Sequence, residues 1–402
     1  MTPAASPQGR VVAAGSSSRV LAARVALLGG RMLAPYERPW LEALQERVEY
    51  LRVFVAEWPN RRLPWRKDFG KLRVTVLNAL VVRVVHRHPS GFADPDERLI
   101  PYNAVCQLRR IRPDVIIAAE LGAATLQAIG YARLRPSARV VIVVGLSERT
   151  EAGRGVLRRL LRRFLLRRAD AIITIGSGSV RYLERFGVGR KAIFVMPRTT
   201  DMRPFLDLPL SRDEEGAGRL FFPGQFIQRK GLLPFLDVLS RWATAHRDRC
   251  VQFWLLGEGP ERMALEHYPT SPNLSLRLWP GVPYDELPRF YGQAGILAFP
   301  TLADEWGLVV NEALASGVPV LGSEHSQAVV ELVHDGETGW RFNPEKPDDT
   351  YEAIDRALST PRERLAAMRA AARRSVETVT PELAADQVVE ALHFALSGKR
   401  GG

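Results

Sequence analysis

Residues 296–323 read ILAFPTLADEWGLVVNEALASGVPVLGS. An apolar run of strand length ends at Pro300, a polar loop carries Asp304 and Glu305, Gly307-Leu308 opens a helical segment that bears Glu312, and VPVLGS reads as a second strand. Two strands joined through a helix are parallel neighbours, because the helix carries the chain back across one face of the sheet. The alternation extends in both directions. Downstream of residue 218 the strand-like runs are RLFFPGQ, FWLLGEG, LSLRLWPG, GILAFP, VPVLGS and TGWRFN, with helical segments such as GLLPFLDVLSRWAT between them. Upstream, RVALL, LRVFVAE, LRVTVLN, DVIIAAE, ARVVIVVG and DAIITIG alternate with PWLEALQERV, AATLQAIGYARL and GVLRRLLRRFLLRRA. The expectation is an α/β protein of two doubly wound, Rossmann-like domains facing across a cleft, with the ligand at the carboxyl ends of the strands.

The boundaries follow from composition. Residues 1–22, rich in Ala, Ser and Gly, are expected to be a frayed tail. Residues 23–210 form the first domain, the charged SRDEEGAG of 211–218 a linker, 219–375 the second domain, and 376–402 a last helix expected to pack back on the first domain. A length of 402 residues accommodates this at roughly 150 residues per domain. With 46% hydrophobic and 25% charged residues, the chain is not disordered, collagen-like or a disulfide scaffold.

The net charge of +12 is unevenly held. Residues 1–205 carry 36 Lys+Arg against 16 Asp+Glu, and residues 206–402 carry 20 against 28. A uniform coat for nucleic acid is a poor description of such a chain, and no nucleic-acid partner is expected. Cys106 and Cys250, the two cysteines, supply neither a disulfide framework nor a thiolate metal site, and a reducing cytoplasm is the simplest home. VLAARVALLGG is broken by Arg24 and too short to span a bilayer, so the protein is expected to be soluble or peripherally attached.

No G-x-G-x-x-G and no P-loop occurs; GEGPER places Arg262 at the third glycine. Other stretches suit an anion. Gly29-Gly30 closes the first strand, either as a close-approach site for a phosphate or sugar or as a plain turn. In GQFIQRKG, Lys230 falls at the amino-terminal edge of a helix, where the dipole disfavours a cation unless an anion meets it; a solvated surface lysine is the alternative. In the 296–323 stretch, amides at the helix start near Gly307 would face a diphosphate. Asp304 would accept hydrogen bonds from a sugar or act as an irregular helix cap. Glu312, among Val309, Val310, Ala313 and Leu314, is expected to point into the cleft at hydroxyls such as those of a ribose.

These residues resemble the retaining nucleotide-sugar glycosyltransferases of GT-B fold, family four. The resemblance rests on GQFIQRKGLLPFL, WLLGEGPERMALE, VPYDELPRFYGQAGILAFPTLADEWGLVVNEALASGVPVL and VVELVHDGETGWRF, which cover most of residues 219–345. The family's Glu, seven residues, Glu becomes Asp304, seven residues, Glu312. Gln225 stands where the family usually has a diphosphate-clamping Arg, with Lys230 at the Lys position and Arg229 adjacent. The resemblance implies a hexosyltransferase of polysaccharide biosynthesis acting through Lys230, Asp304 and Glu312. Its donor site would include Gly29, Gly30, Gln225, Arg229, Gly257, Glu258, Val282, Gly307, Leu308 and Val309. It implies a UDP- or GDP-sugar as co-substrate, an envelope glycan or polyprenyl-linked acceptor, and no cofactor or metal. The first half matches more weakly. After RVVIVVG, where many relatives carry a His, this chain continues Leu146-Ser147-Glu148; Glu120 and Glu148 are the acceptor-side candidates. A soluble acceptor, or a catalytically silent subunit that binds nucleotide or a partner, are the alternatives.

The basic half adds a second expectation. In GRGVLRRLLRRFLLRRAD the leucines and arginines separate at helical spacing, so the apolar side should pack on the sheet and the cationic side face solvent or an anionic membrane. WPNRRLPWRKDFGK mixes Trp58, Trp65 and Phe69 with Arg61, Arg62, Arg66 and Lys67, a pairing suited to a lipid interface on the inner face of the cell membrane; single-stranded nucleic acid could use the same pairing, but no recognised binding module occurs. Asp94-Pro95-Asp96 is expected to be surface turn chemistry.

Overall fold

A computed structural model describes residues 20–29, 35–56, 69–212 and 216–398. Gly30, the cluster from Trp58 to Lys67, most of the expected tail and the middle of the expected linker lie outside the described residues.

The first domain contains β1 (Leu21–Leu28), β2 (Val48–Ala56), β3 (Val74–Leu77), β4 (Ala79–Arg87), β5 (Ala93–Pro101), β6 (Val115–Ala119), β7 (Arg139–Val143), β8 (Ala171–Thr174) and β9 (Ile193–Val195). Between them run α1 (Arg38–Arg47), α2 (Ala104–Ile111), α3 (Ala123–Leu134), α4 (Val156–Leu166) and α5 (Ser177–Arg185), with α6 (Arg203–Leu206) after β9. Seven strands form one parallel sheet in the order β3-β2-β1-β6-β7-β8-β9. Its central strands are apolar on both faces: Val25 and Leu27 of β1 join one buried cluster, Ala26 and Leu28 the other. Successive side chains alternate, so a strand covered on both sides must be apolar throughout.

The second domain holds β10 (Leu220–Pro223), α7 (Leu232–Ala245), β11 (Val251–Leu256), α8 (Arg262–Glu266), β12 (Leu274–Trp279), α9 (Leu287–Tyr291), β13 (Ile296–Phe299), α10 (Leu308–Ala315), β14 (Val320–Ser323), α11 (Gln327–Leu332), β15 (Gly339–Phe342), α12 (Pro347–Leu358) and α13 (Arg362–Val376). The six strands run parallel in the order β12-β11-β10-β13-β14-β15. In each sheet the chain starts in the middle, builds outward to one edge, then returns to build the other. The topological switch falls between β1 and β6 in one domain and between β10 and β13 in the other, and each leaves a crevice beyond the strands' carboxyl ends.

The last helix, α14 (Pro381–Leu396), leaves the second domain and packs against α1 and strands β7 to β9 of the first. Thr380 caps it, accepting a hydrogen bond from the Leu383 amide at 3.2 Å. Arg47 Nε lies 2.5 Å from Asp386 Oδ1, and the Phe194 and Phe394 rings sit 5.5 Å apart.

Two expectations are corrected. Asp94 and Asp96 lie within β5, whose antiparallel ladder with β4 pairs Asp94 with His86 and Asp96 with Val84. The valine-rich β4 supplies a complete ladder, which outweighs the turn preference of Asp-Pro-Asp. In α4 the apolar side is divided: Leu165 and Leu166 are buried with Arg162 between them, while Leu157, Leu160, Leu161 and Phe164 are exposed.

Leu392 of α14 is fully buried. Its replacement by Ala is expected to cost about 2–5 kcal/mol, read from denaturant unfolding; an unchanged midpoint would mean that α14 does not anchor the two domains.

Candidate active site in the interdomain cleft

The loops beyond the switch points meet in the cleft. Loop 224–231 follows β10 and loop 300–307 follows β13, and they are fastened together. The Leu302 amide donates to Arg229 O at 2.8 Å, the Thr301 hydroxyl to the same oxygen at 3.2 Å, and Arg229 Nη1 to Ala303 O at 3.0 Å. A Cβ at Gly231 would stand 2.3 Å from Pro300 O, so the contact requires glycine, as does its φ of +67°.

At the centre of this joint Lys230 Nζ donates to Asp304 Oδ2 at 2.5 Å, with the Arg229 guanidinium 3.6 Å from the same oxygen and the Phe299 ring 5.1 Å from the ammonium. Burial acts to raise the Asp304 pKa, but Lys230 and Arg229 outweigh it and hold the carboxyl below its ordinary range. Two cations against one carboxylate leave this trio with a net positive charge. Asp304 therefore binds the expected clamp residues themselves instead of standing as an open acceptor for a sugar. Beside it α10 begins at Gly307, φ +105°, without a side-chain cap, so its first amides stay available for an anion.

Glu312 is held by partners from outside its own helix. It is 4% exposed and faces inward, accepting from Tyr284 OH at 3.2 Å and Tyr291 OH at 2.8 Å. Both tyrosines come from the segment around α9, a neighbourhood that helical spacing within α10 does not reveal. Desolvation raises the Glu312 carboxyl to about 7, against the lowering effect of the two phenols.

The remaining donor candidates line the crevice floor. A Cβ on Gly257 would come 1.9 Å from Gly224 O, so loops 224–226 and 257–259 pass in backbone contact. Gln225 is exposed above them, Glu258 pairs with Arg262 at 3.0 Å, and Val282, Leu308 and Val309 are half-buried against the core. Gly29 ends β1, its amide donating to Phe54 O at 2.8 Å.

Opposite these stands the first domain. Glu120 ends β6 with φ +70°, an unusual conformation for a residue with a side chain, and its charge reaches Glu305 of the second domain. Glu305 keeps exposed surface, yet crowding by surrounding atoms, then the charges of Glu120 and Asp304, raise its pKa. Glu148 is not brought to the cleft chemistry: it pairs with Arg185 of α5 at 2.9 Å.

Several residues that bridge the cleft carry no sequence signal. Gln327 Nε2 reaches Gly145 O at 3.0 Å and Glu305 O at 2.8 Å, while its oxygen accepts from the Ser179 amide at 2.9 Å. Arg149 donates to Leu302 O at 3.2 Å and pairs with Glu345, which also takes the Ser90 hydroxyl at 2.7 Å. The Arg149 hydrogen bond holds the Glu345 pKa down to about 2. Burial, then Arg149, lowers His325 to about 4, keeping it neutral.

Comparison with known proteins agrees with this architecture. Residues 12–199 match the model "Glycosyl transferase 4-like domain" and residues 217–360 the model "Glycosyl transferases group 1", one to each domain. Among solved structures, the Anabaena protein HepE in complex with UDP and glucose aligns with a TM-score of 0.64 at 14% identity over 92% of this chain and 99% of its own. The Thermosynechococcus elongatus sucrose-phosphate synthase aligns at 0.68 and 16% identity over 94% and 100%. The chain thus has the two-domain fold of the GT-B glycosyltransferases, and each domain matches a glycosyltransferase domain model. Among curated relatives it is 29% identical to the D-inositol 3-phosphate glycosyltransferase of Nocardia farcinica over 237 residues, 54% of this chain and 51% of that one. It is 24% identical to the Arabidopsis thaliana sulfoquinovosyl transferase over 303 residues, 68% and 55%. The chain spans about half the length of the curated relatives it matches.

The raised Glu312 pKa has a signed consequence. Below the unfolded value of 4.5 both states hold the proton; as pH rises to about 7 only the folded state keeps it, so Glu312 costs stability progressively and the cost levels off above that pH. Glu312→Gln is expected to raise Tm relative to wild type at pH 8 but not at pH 4.5, a gain of up to about 3 kcal/mol. Melts with no pH-dependent difference would overturn this assignment.

Proposed function

We propose that this chain transfers a sugar from a UDP- or GDP-linked donor to an envelope glycan or lipid-linked acceptor, with retention of anomeric configuration. The observation that carries the reading is the net-positive trio of Lys230, Arg229 and Asp304 beside the uncapped start of α10, at the carboxyl ends of β10 and β13. A nucleoside diphosphate suits this place because it brings the negative charge that both features favour. The HepE structures with UDP and with UDP-glucose support a nucleotide-sugar ligand. A lipopolysaccharide outer core galactosyltransferase among the structural neighbours and the sulfoquinovosyl transferase among the relatives support envelope and lipid acceptors.

In this reading the bond between the anomeric carbon and the diphosphate oxygen breaks as the acceptor hydroxyl approaches the same face. The leaving diphosphate oxygen takes the acceptor's proton. Lys230 and the α10 amides stabilise the charge that develops on that oxygen, so a strong protein base is not required. Gln225 adds a polar contact without charge, and the backbone near Val282 borders the base. Each Glu312 oxygen accepts one tyrosine and keeps a second lone pair, enough for a ribose hydroxyl. Glu120, facing the donor loops from the first domain, is the acceptor-side acid. Free, exposed Cys106 and Cys250 suit a reducing, cytoplasmic face. Among the described residues no helix is long and apolar enough to cross a membrane.

A panel of UDP- and GDP-sugars tests the reading through release of free nucleotide. Lys230→Ala is expected to lower turnover by about 10²–10³-fold with the fold intact by circular dichroism; undiminished turnover would move the site elsewhere. UDP or GDP at millimolar concentration is expected to raise Tm by mass action, and no shift with either would overturn the donor site.

A further inference from the structure

The orientation of α4 leaves an apolar ridge without a partner among the described residues. From Gly153 to Ala169 the sequence contains no acidic residue. At about 100° per residue, Leu157, Leu160, Leu161 and Phe164 fall within about 100° of arc on one side of the helix. Such a ridge ordinarily packs on the sheet. Here it faces outward, with Leu157 84% and Leu160 58% exposed.

The opposite side goes in. Arg162 is 3% exposed, paired with the buried Glu151 carboxylate and 2.9 Å from Tyr182 OH, between the buried Leu165 and Leu166. Burying a guanidinium while four large apolar side chains meet water is the reverse of the usual partition. A contiguous apolar face of this kind marks a surface that something else covers.

The helix also specifies the chemistry of that partner. Arg159, Arg163 and Arg167 form an exposed row along one border of the ridge, and the Arg168 guanidinium lies 3.7 Å from the Phe164 ring centroid. Apolar side chains at the centre and cations at the margin fit a bilayer with anionic headgroups, which offers hydrocarbon to the ridge and diffuse negative charge to the row. The neighbouring β4–β5 hairpin is exposed on both faces, with Leu80 and Val82 on one and Val85 on the other. Its turn is tied to the segment leading into α4, with His88 Nε2 2.8 Å from Arg149 O.

We infer that α4 is the surface on which this protein sits on an anionic lipid bilayer, the helix axis lying in the plane of the interface. The inference deepens the proposed function, on whose lipid-linked acceptor it rests, by naming the element that would hold the cleft near such an acceptor.

Vesicle flotation of the full chain, without donor or acceptor, tests it. Binding to phosphatidylcholine vesicles containing phosphatidylglycerol is expected to exceed binding to pure phosphatidylcholine by roughly tenfold or more. Leu157→Ser/Leu160→Ser/Phe164→Ser and Arg159→Gln/Arg163→Gln/Arg167→Gln should each lose that binding while keeping the wild-type Tm and its response to UDP or GDP. Equal flotation on both vesicles, or a serine variant that floats like wild type, would overturn the inference. So would a dimer in sedimentation velocity that the serine substitutions abolish without vesicle binding, since the ridge would then belong to a second copy. Loss of the nucleotide response in wild type would instead count against the donor site.

Discussion

The carboxylate of Asp304, held between Lys230 and Arg229, is the interaction on which the joint between the loops after β10 and β13 depends. It neutralises one of two neighbouring cations in a place where water is scarce. Without it, loop 224–231 and loop 300–307 would each present like charge or unmet charge to the other. The backbone hydrogen bonds around Arg229 then set the spacing of the loops. Because these loops end β10 and β13, the joint stands at the switch point of the sheet, where the helices diverge and the strands' carboxyl ends open. The anion-favouring start of α10 lies beside it for the same topological reason.

The first domain meets this joint through polar side chains. Gln327 satisfies carbonyls from both sides of the cleft and an amide at the start of α5. Arg149 does the same near Leu302 while pairing with Glu345. These contacts are hydrogen bonds and ion pairs, whereas the α14 contacts across the back of the molecule bury apolar surface. The molecule is therefore fastened firmly at the back and more weakly across the cleft, a distribution that lets the cleft change width without unfolding either sheet.

Much of the fold was legible in the sequence, because a doubly covered parallel sheet demands uninterrupted apolar strands and helices of another period between them. The VIIAA of β6 and the LFFP of β10 can hardly be read otherwise. The β4–β5 hairpin was less visible: its strands carry mixed residues on both faces, and Asp-Pro-Asp suggested a turn. In the site, Lys230, Asp304 and Gly307 announced themselves by their places at strand ends and helix starts. Arg149, Gln327 and Glu345 did not, since each acts on residues far away in the chain.

By itself the sequence determined the two-domain α/β architecture, the location of the donor loops and the concentration of positive charge in the first half, since periodicity and residue type are local properties. Only the tertiary structure decided that Asp304 meets Lys230, that Glu312 meets two tyrosines, and that α4 buries an arginine while exposing Leu157, Leu160 and Leu161. The physical reason is common to all three. Which way a side chain points depends on the charges and volumes that neighbouring elements supply, and those neighbours are assembled only when the chain has folded.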